Sequence, residues 1–291
     1  MATSLDLQTL EQYCETLYNP PNPSGRIQAE SLLNYHFPTF SNTNGYNANG
    51  AGSESVQGVG HRVLGIRLLT AVATEMNLPG TKNVVKHRKA AVGFRDAQLL
   101  PIFQAALSML QSVLQSQQSD PQTEKLKEAL MLLMKACLAF DFIGSSYEDS
   151  SEDMGSLQIP TTWRPVFEES GYLDILWESW KTFASPVSVL VMECLSQAAS
   201  IRRSLFSGDD SRHAYIYRFM QEIMQTLTTA AGQNKLQDLG NYHEFCRMLS
   251  RFKMTYQLSE VSGYKDIQQW LSAVGEFTAQ GFLSWKVWRS L

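Results

Sequence analysis

Cysteine is scarce in this chain and never paired. Cys14, Cys137, Cys194 and Cys246 each stand alone among apolar residues. No CxxC pair is present to hold zinc or to cycle as a thioredoxin-type redox centre. The same spacing argues against a disulfide framework. What remains is a set of buried free thiols, which suits the reducing cytoplasm or nucleus.

Other absences narrow the function further. There is no GxxxxGK[ST] phosphate loop, no GxSxG nucleophile elbow and no Asn-x-Ser/Thr acceptor with a permitted middle residue. The first ten residues lack a basic segment followed by an apolar one, and Asp6 interrupts them, so they do not read as a secretory signal. The run 129–140, taken as the most apolar stretch, contains Lys135 and is too short to cross a bilayer. Charged residues make up only 18% of the chain, and the net charge is −4. That balance gives neither nucleic acid nor an anionic membrane a general attraction, and neither is expected as a partner.

The nearest approaches to catalytic motifs fall short. His243 and Cys246 lie three apart on one helical face, but no third group is placed to orient them, so they read as a helix-start histidine and a packing cysteine. His243-Glu244 does not continue to HExxH, because Arg247 stands where the second histidine belongs. Gly58-Val59-Gly60 lacks the third glycine and the preceding strand of a dinucleotide fingerprint. No enzyme activity, cofactor or metal is expected.

What the chain does have is helical periodicity almost from end to end. Val187, Leu190, Val191, Cys194, Leu195 and Ala198 fall on one helix face. So do Leu99, Phe103, Ala106, Leu107, Leu110, Val113 and Leu114. The spacing returns in Tyr242, Phe245, Cys246, Leu249, Phe252 and Tyr256, and in Ile267, Trp270, Leu271 and Val274. No segment alternates with period two over a strand's length. The pattern predicts helices over 5–18 and 25–36, then 59–77, 83–95, 96–117 and 121–141. Pairs follow at 163–183 with 186–205, 209–231 with 240–258, and 263–280 with a short final piece. Asp96 is the expected cap of the 96–117 helix, and Asp120, ahead of Pro121, that of the next.

Two polar insertions divide this series. Residues 38–58 are rich in Asn, Gly and Ser and nearly free of large aliphatics. Such a stretch cannot bury enough surface to offset its ordering entropy, so it reads as a flexible linker between an N-terminal helical pair, 1–37, and an array, 59–291. The second insertion, 144–158, carries Glu148, Asp149, Glu152 and Asp153. Units of two helices and a short turn, alike in plan but not in sequence, predict an all-α, HEAT/armadillo-like solenoid of antiparallel helix pairs. A closed bundle is the alternative. Lys82, Lys86, His87, Arg88, Lys89 and Arg95 form one basic cluster, and the four carboxylates of 144–158 form its acidic counterpart. The basic cluster is either a solvated helix face or a phosphate grip or localisation signal, and the acidic set is either a solvated loop or a contact for a basic partner. The six tryptophans, on helical faces, read as packing anchors.

Several longer segments carry more than a period. FDFIGSSYEDSSED (140–153), QIPTTWR (158–164), ASIRRSLF (199–206) and NYHEFCRMLSRFKMTYQLSE (241–260) together resemble the importin-β superfamily of nuclear transport receptors. KHRKAAVGFRD (86–96) and LEQYCETLYN (10–19) agree as well. The resemblance implies a HEAT-repeat solenoid that binds the GTPase Ran in its GTP form, carries protein cargo and contacts nuclear pore proteins, moving between cytoplasm and nucleus in an exportin-like role. It also implies that the 144–158 loop stays acidic for a purpose. Members of that family are several times longer and carry further helical pairs where this chain has 38–58, so the chain is expected to correspond to an N-terminal portion with an internal deletion. A non-catalytic scaffold that binds partners without Ran-dependent transport is the competing expectation. Phe282, Leu283, Trp285, Val287, Trp288 and Leu291 are expected to drive self-association if left uncovered.

Overall fold

A computed structural model describes residues 56–78, 84–116, 120–142, 157–169 and 171–289. The chain divides into two compact units, Met1–Leu68 and Leu69–Leu291. Of the first, the described part is the beginning of helix α1 (Val56–Asn77), where Val63 and Ile66 are buried. The helix starts inside the expected linker, at Val56 rather than 59. First-turn residues carry no packing stripe, so periodicity does not register them. The expected helices 5–18 and 25–36, and the linker up to residue 55, lie outside the described residues.

The second unit is built from α2 (Val84–Phe94), α3 (Leu100–Ser116), α4 (Pro121–Leu138), α5 (Arg164–Glu168), α6 (Tyr172–Thr182) and α7 (Val187–Ala198). After these come α8 (Asp209–Thr228), α9 (Ala230–Lys235), α10 (Leu239–Thr255), α11 (Leu258–Val261) and α12 (Ile267–Arg289). Among the described residues the extended pairing is one isolated parallel bridge, Leu157 with Ile201.

Two stacked ridges organise these helices. α3, α6, α8 and α12 pack in succession along one ridge, and α4, α7 and α10 along the other. Within repeats, α3 pairs with α4 and α6 with α7. Each of α3, α4, α6 and α7 therefore meets its hairpin partner and an equivalent helix of a neighbouring repeat, which is the geometry of a helical-repeat solenoid. α7 is the clearest case: Val191, Met192, Cys194, Leu195 and Ala198 are all fully buried between α4, α6 and α10.

An aromatic chain ties the ridges together. Phe103 of α3 lies 5.8 Å from Tyr172 of α6, Trp177 of α6 lies 6.2 Å from Phe219 of α8, and Phe219 lies 5.6 Å from Phe252 of α10. Phe252 reaches Trp270 of α12 at 6.2 Å. Trp163, Trp177 and Trp180 are buried as packing anchors, and Trp270 is half-buried.

Several expected boundaries moved, each for a local reason. No break separates 83–95 from 96–117: a π-helical turn, Arg95–Leu99, joins α2 to α3. Pro101 lacks an N–H and its ring crowds the carbonyl four residues back, and the wider turn absorbs that misfit without ending the helix. Asp96 is then no cap, and its carboxylate accepts from Arg95 Nε at 2.8 Å. Residues 163–183 are interrupted at Gly171, whose φ of 66° is left-handed and suits glycine. The 186–205 helix ends at Ala198, and Ile201 lies in the extended turn that pairs with Leu157, whose carbonyl accepts from the Arg202 N–H. The 209–231 helix stops at extended Thr229, whose hydroxyl caps α9 through the Gly232 N–H. The expected 263–280 helix and final piece are the single helix α12. Asp120 caps α4 as expected, accepting from the N–H groups of Gln122 and Thr123.

The helix that α2 and α3 form together runs from Val85 to Ser116. Its length and composition are enough to cross a membrane. Its faces differ, however. Leu99, Ile102, Phe103, Ala106 and Leu110 are buried, whereas Gln104, Ser108, Gln111 and Ser112 are exposed. That amphipathic division is how a core helix of a layered fold is patterned.

The thiols follow the packing. Burial pushes Cys137 up to about 12, and it pushes Cys194 still higher. Both are free and fully buried. At pH 8 iodoacetamide is expected to leave them unmodified in the folded chain and to alkylate them only in denaturant, because the reactive thiolate is absent. Mass spectrometry of the tryptic peptides reads the outcome, and labelling of Cys194 at native pH would contradict the packing described.

Candidate functional site: partner-binding surfaces

Of the acidic set, Glu148, Asp149, Glu152 and Asp153 lie outside the described residues, as does Lys82 of the basic set. The remaining basic residues do not act as one group. Lys86, Arg88 and Lys89 are exposed on α2. Arg95 is turned into the protein, where it donates to Asp96 and, through Nη1, to the Phe142 carbonyl at 2.9 Å. The Arg95 hydrogen bond holds the Asp96 carboxyl below its usual range. Arg95 thus anchors the chain leaving α4, and the solvent-facing cations of this region are those of α2.

Charges elsewhere serve mainly to join repeats. Glu222, almost fully buried on α8, meets Lys181 of α6 at 2.9 Å and Arg218 of its own helix at 2.8 Å. Arg218 also reaches Asp174 of α6 at 2.5 Å. Arg212 of α8 grips Glu260 of α11 with two hydrogen bonds, at 2.5 and 3.2 Å, and lies 4.9 Å over the Tyr256 ring. Burial pushes the Glu260 carboxyl up, but the Arg212 contacts and the Gln257 N–H outweigh it, and the net shift is downward. Among the described residues no group of three or more His, Cys, Asp or Glu is placed to hold a metal ion. His243 is exposed near the start of α10 and Cys246 is half-buried at its middle, with burial raising the thiol.

Among the described residues a large concave feature is a groove of about 1390 Å³ between α10 and α12. Leu239, Tyr242, Cys246 and Leu249 line it from α10. Trp270, Leu271, Val274 and Phe277 line it from α12. Of these, Tyr242, Cys246 and Leu249 belong to the apolar stripe that the sequence places on one face with Phe245, Phe252 and Tyr256. The structure instead turns Asn241, Phe245, Met248 and Phe252 inward and leaves Tyr242, Cys246 and Leu249 only partly covered. α10 is apolar on two faces, and the breadth of its stripe was the available signal. The groove's charged lining residue is Lys253, accompanied by His243, with no Asp or Glu among the lining side chains.

Sequence comparison shows what the chain as a whole is similar to. No family model matches the chain. It is 36% identical over 232 residues to human Ran-binding protein 17 and 34% identical over 235 residues to Ran-binding protein 16 of Drosophila melanogaster. Each match covers 78% of this chain and 21% of the relative. Exportin-7-A of Xenopus laevis is 34% identical over 227 residues, covering 77% of this chain and 20% of the relative. The chain therefore spans about a fifth of the length of the curated relatives it matches.

Proposed function

Starting from a chain that is a homologue of one segment of exportin-7 and of Ran-binding proteins 16 and 17, we propose that it acts in nuclear export as a transport receptor. It would bind Ran in the GTP form together with protein cargo, without catalysing a reaction. The observation that carries this reading is the match to those relatives over more than three quarters of the chain. The two-ridge helical stack supports it, since such arrays present extended surfaces to partners instead of an enclosed active site. Shuttling between nucleus and cytoplasm, with contact to nuclear pore proteins, belongs to the same proposal.

Within it, Glu148, Asp149, Glu152 and Asp153 contact a basic partner, and the exposed Lys86, Arg88 and Lys89 offer an acidic partner a complementary patch. A pull-down with Ran locked in its GTP and GDP forms tests the reading directly. The GTP form should be retained and the GDP form washed through. Equal capture of both, or of neither, would instead favour a scaffold that binds partners without the nucleotide cycle. Changing the four carboxylates to Ser or Asn should weaken capture of the GTP form about tenfold. The same change should leave Tm within about 1 °C, because isolated surface charges contribute little to stability. A large fall in Tm would assign the loop to the fold instead.

A further inference from the structure

A smaller pocket lies within the array, where α6, α8 and α9 meet. Its volume is about 330 Å³, near the lower end of the roughly 300–1,000 Å³ of small-molecule sites. α10 follows α9 directly, so the walls of this pocket have described neighbours on both sides in the chain. Trp180 of α6 and Gly232 of α9 are among those walls. Gly232 comes so close to α8 that an added Cβ would lie 2.2 Å from the Thr226 carbonyl oxygen. Only glycine permits that approach, and it fixes the spacing of α8 and α9.

Two lining side chains carry polar groups that the fold leaves idle. Thr226 is 2% exposed, yet its hydroxyl has no hydrogen-bond partner among the described residues. A buried hydroxyl left unpaired costs about 1–3 kcal/mol. Lys235 is half-buried and gives one of its three ammonium donors to the Phe183 carbonyl. Among the described residues it forms no ion pair. Asp238 acts on it only at longer range, because that carboxylate caps α10, accepting from the Asn241 N–H at 2.9 Å and its side-chain amide at 3.0 Å. Burial pushes the Lys235 amine below the ordinary lysine range, as expected of a charge short of solvation. The other lining cation, Lys181, is matched: it meets Glu222, which Arg218 shares, and Arg218 meets Asp174. No Asp or Glu is among the lining residues, so Lys235 is left as the uncompensated charge of the pocket.

We propose that this pocket binds a small organic oxyanion, a carboxylate or a phosphate monoester. Its charged group sits between the Lys235 ammonium and the Thr226 hydroxyl, and its apolar body lies against Trp180. The anionic oxygens then accept from both idle donors at once, and charge-assisted bonds of that kind are the strong ones. A neutral molecule of the same shape leaves Lys235 uncompensated and binds weakly. This proposal goes beyond the transport reading and does not depend on it.

Phenyl phosphate, benzoate and neutral benzamide, titrated into the full chain, test it through the backbone amide shifts of Ala231 and Gly232 in NMR spectra. At least one anion should bind about tenfold tighter than benzamide, with its shifts centred on those amides, and the tighter anion identifies the charged group. Lys235→Met should weaken that anion more than tenfold. Thr226→Val, which keeps the shape of the side chain and removes the hydroxyl, should weaken it about fivefold. Ala231→Leu, at an exposed position of the lining, should block entry while sparing both polar groups. Circular dichroism should match the parent chain in each case, and if Lys235→Met does not fold, the other two variants decide. Equal binding of benzamide, no binding of either anion up to about 10 mM, or shifts centred elsewhere would overturn the proposal. Undiminished binding to Thr226→Val and Ala231→Leu would do so as well.

Discussion

Replacing Trp177 by alanine is expected to cost about 4 kcal/mol of unfolding free energy. The indole is fully buried on α6, with Trp180 at 5.8 Å and Phe219 of α8 at 6.2 Å, both edge-on. Truncation removes the link between two successive members of one ridge and leaves a cavity that rigid helices on both sides cannot close. In a repeat array each unit is stabilised chiefly by its neighbours, so the loss is felt on both. Trp177→Phe should cost far less, about 1–2 kcal/mol. It keeps a ring in place and removes an indole N–H that has no partner among the described residues. Urea unfolding followed by circular dichroism measures both. An alanine variant within about 1 kcal/mol of the parent chain would show that α6 and α8 are not joined through this side chain.

Asn241→Leu should be the second most damaging single change, at about 3 kcal/mol, although leucine has nearly the same size. Asn241 is 1% exposed at the start of α10. Its Oδ1 accepts from the Trp180 indole N–H at 2.8 Å, and its Nδ2 donates to Ser188 Oγ at 2.9 Å and to Asp238 Oδ1 at 3.0 Å. Because an indole nitrogen only donates, the amide orientation is fixed by its partner. One side chain thus locks α10 to α6 and α7 and fixes the register of that repeat. Leucine would strand the Trp180 N–H in a dry interior. Adding Trp180→Phe removes that donor, so the double variant should be at least about 1 kcal/mol more stable than additivity predicts. Strict additivity would sink the register-lock interpretation.

The two predictions draw on different levels of information. Trp177 was legible as a packing anchor, because a large aromatic on an apolar helical face has few other uses. Asn241 was not, since a polar residue one position before the Tyr242 stripe looks solvated in one dimension. Only the approach of α6 and α7 reveals what it bonds. The acidic and basic clusters show the same limit. Lys86, Arg88, Lys89 and Arg95 form one cluster in sequence, but a side-chain bond to the Phe142 carbonyl draws Arg95 away to a structural task.

By itself the sequence determined that the described chain is helical, roughly where most of its helices lie, and which family its longer segments resemble. Those properties rest on the 3.6-residue period, on local caps such as Asp120, and on ordered strings of residues, all of them short-range. Tertiary structure decided the rest. It carried one helix through Pro101 by widening a turn, interrupted another at Gly171, and chose which face of α10 is core. A stripe of apolar residues specifies that a helix has something to bury, but which neighbour buries it depends on contacts between residues far apart in the chain. That is why Tyr242, Cys246 and Leu249 share one apolar stripe with Phe245 and Phe252 in sequence and stand in the wall of a groove in the folded protein.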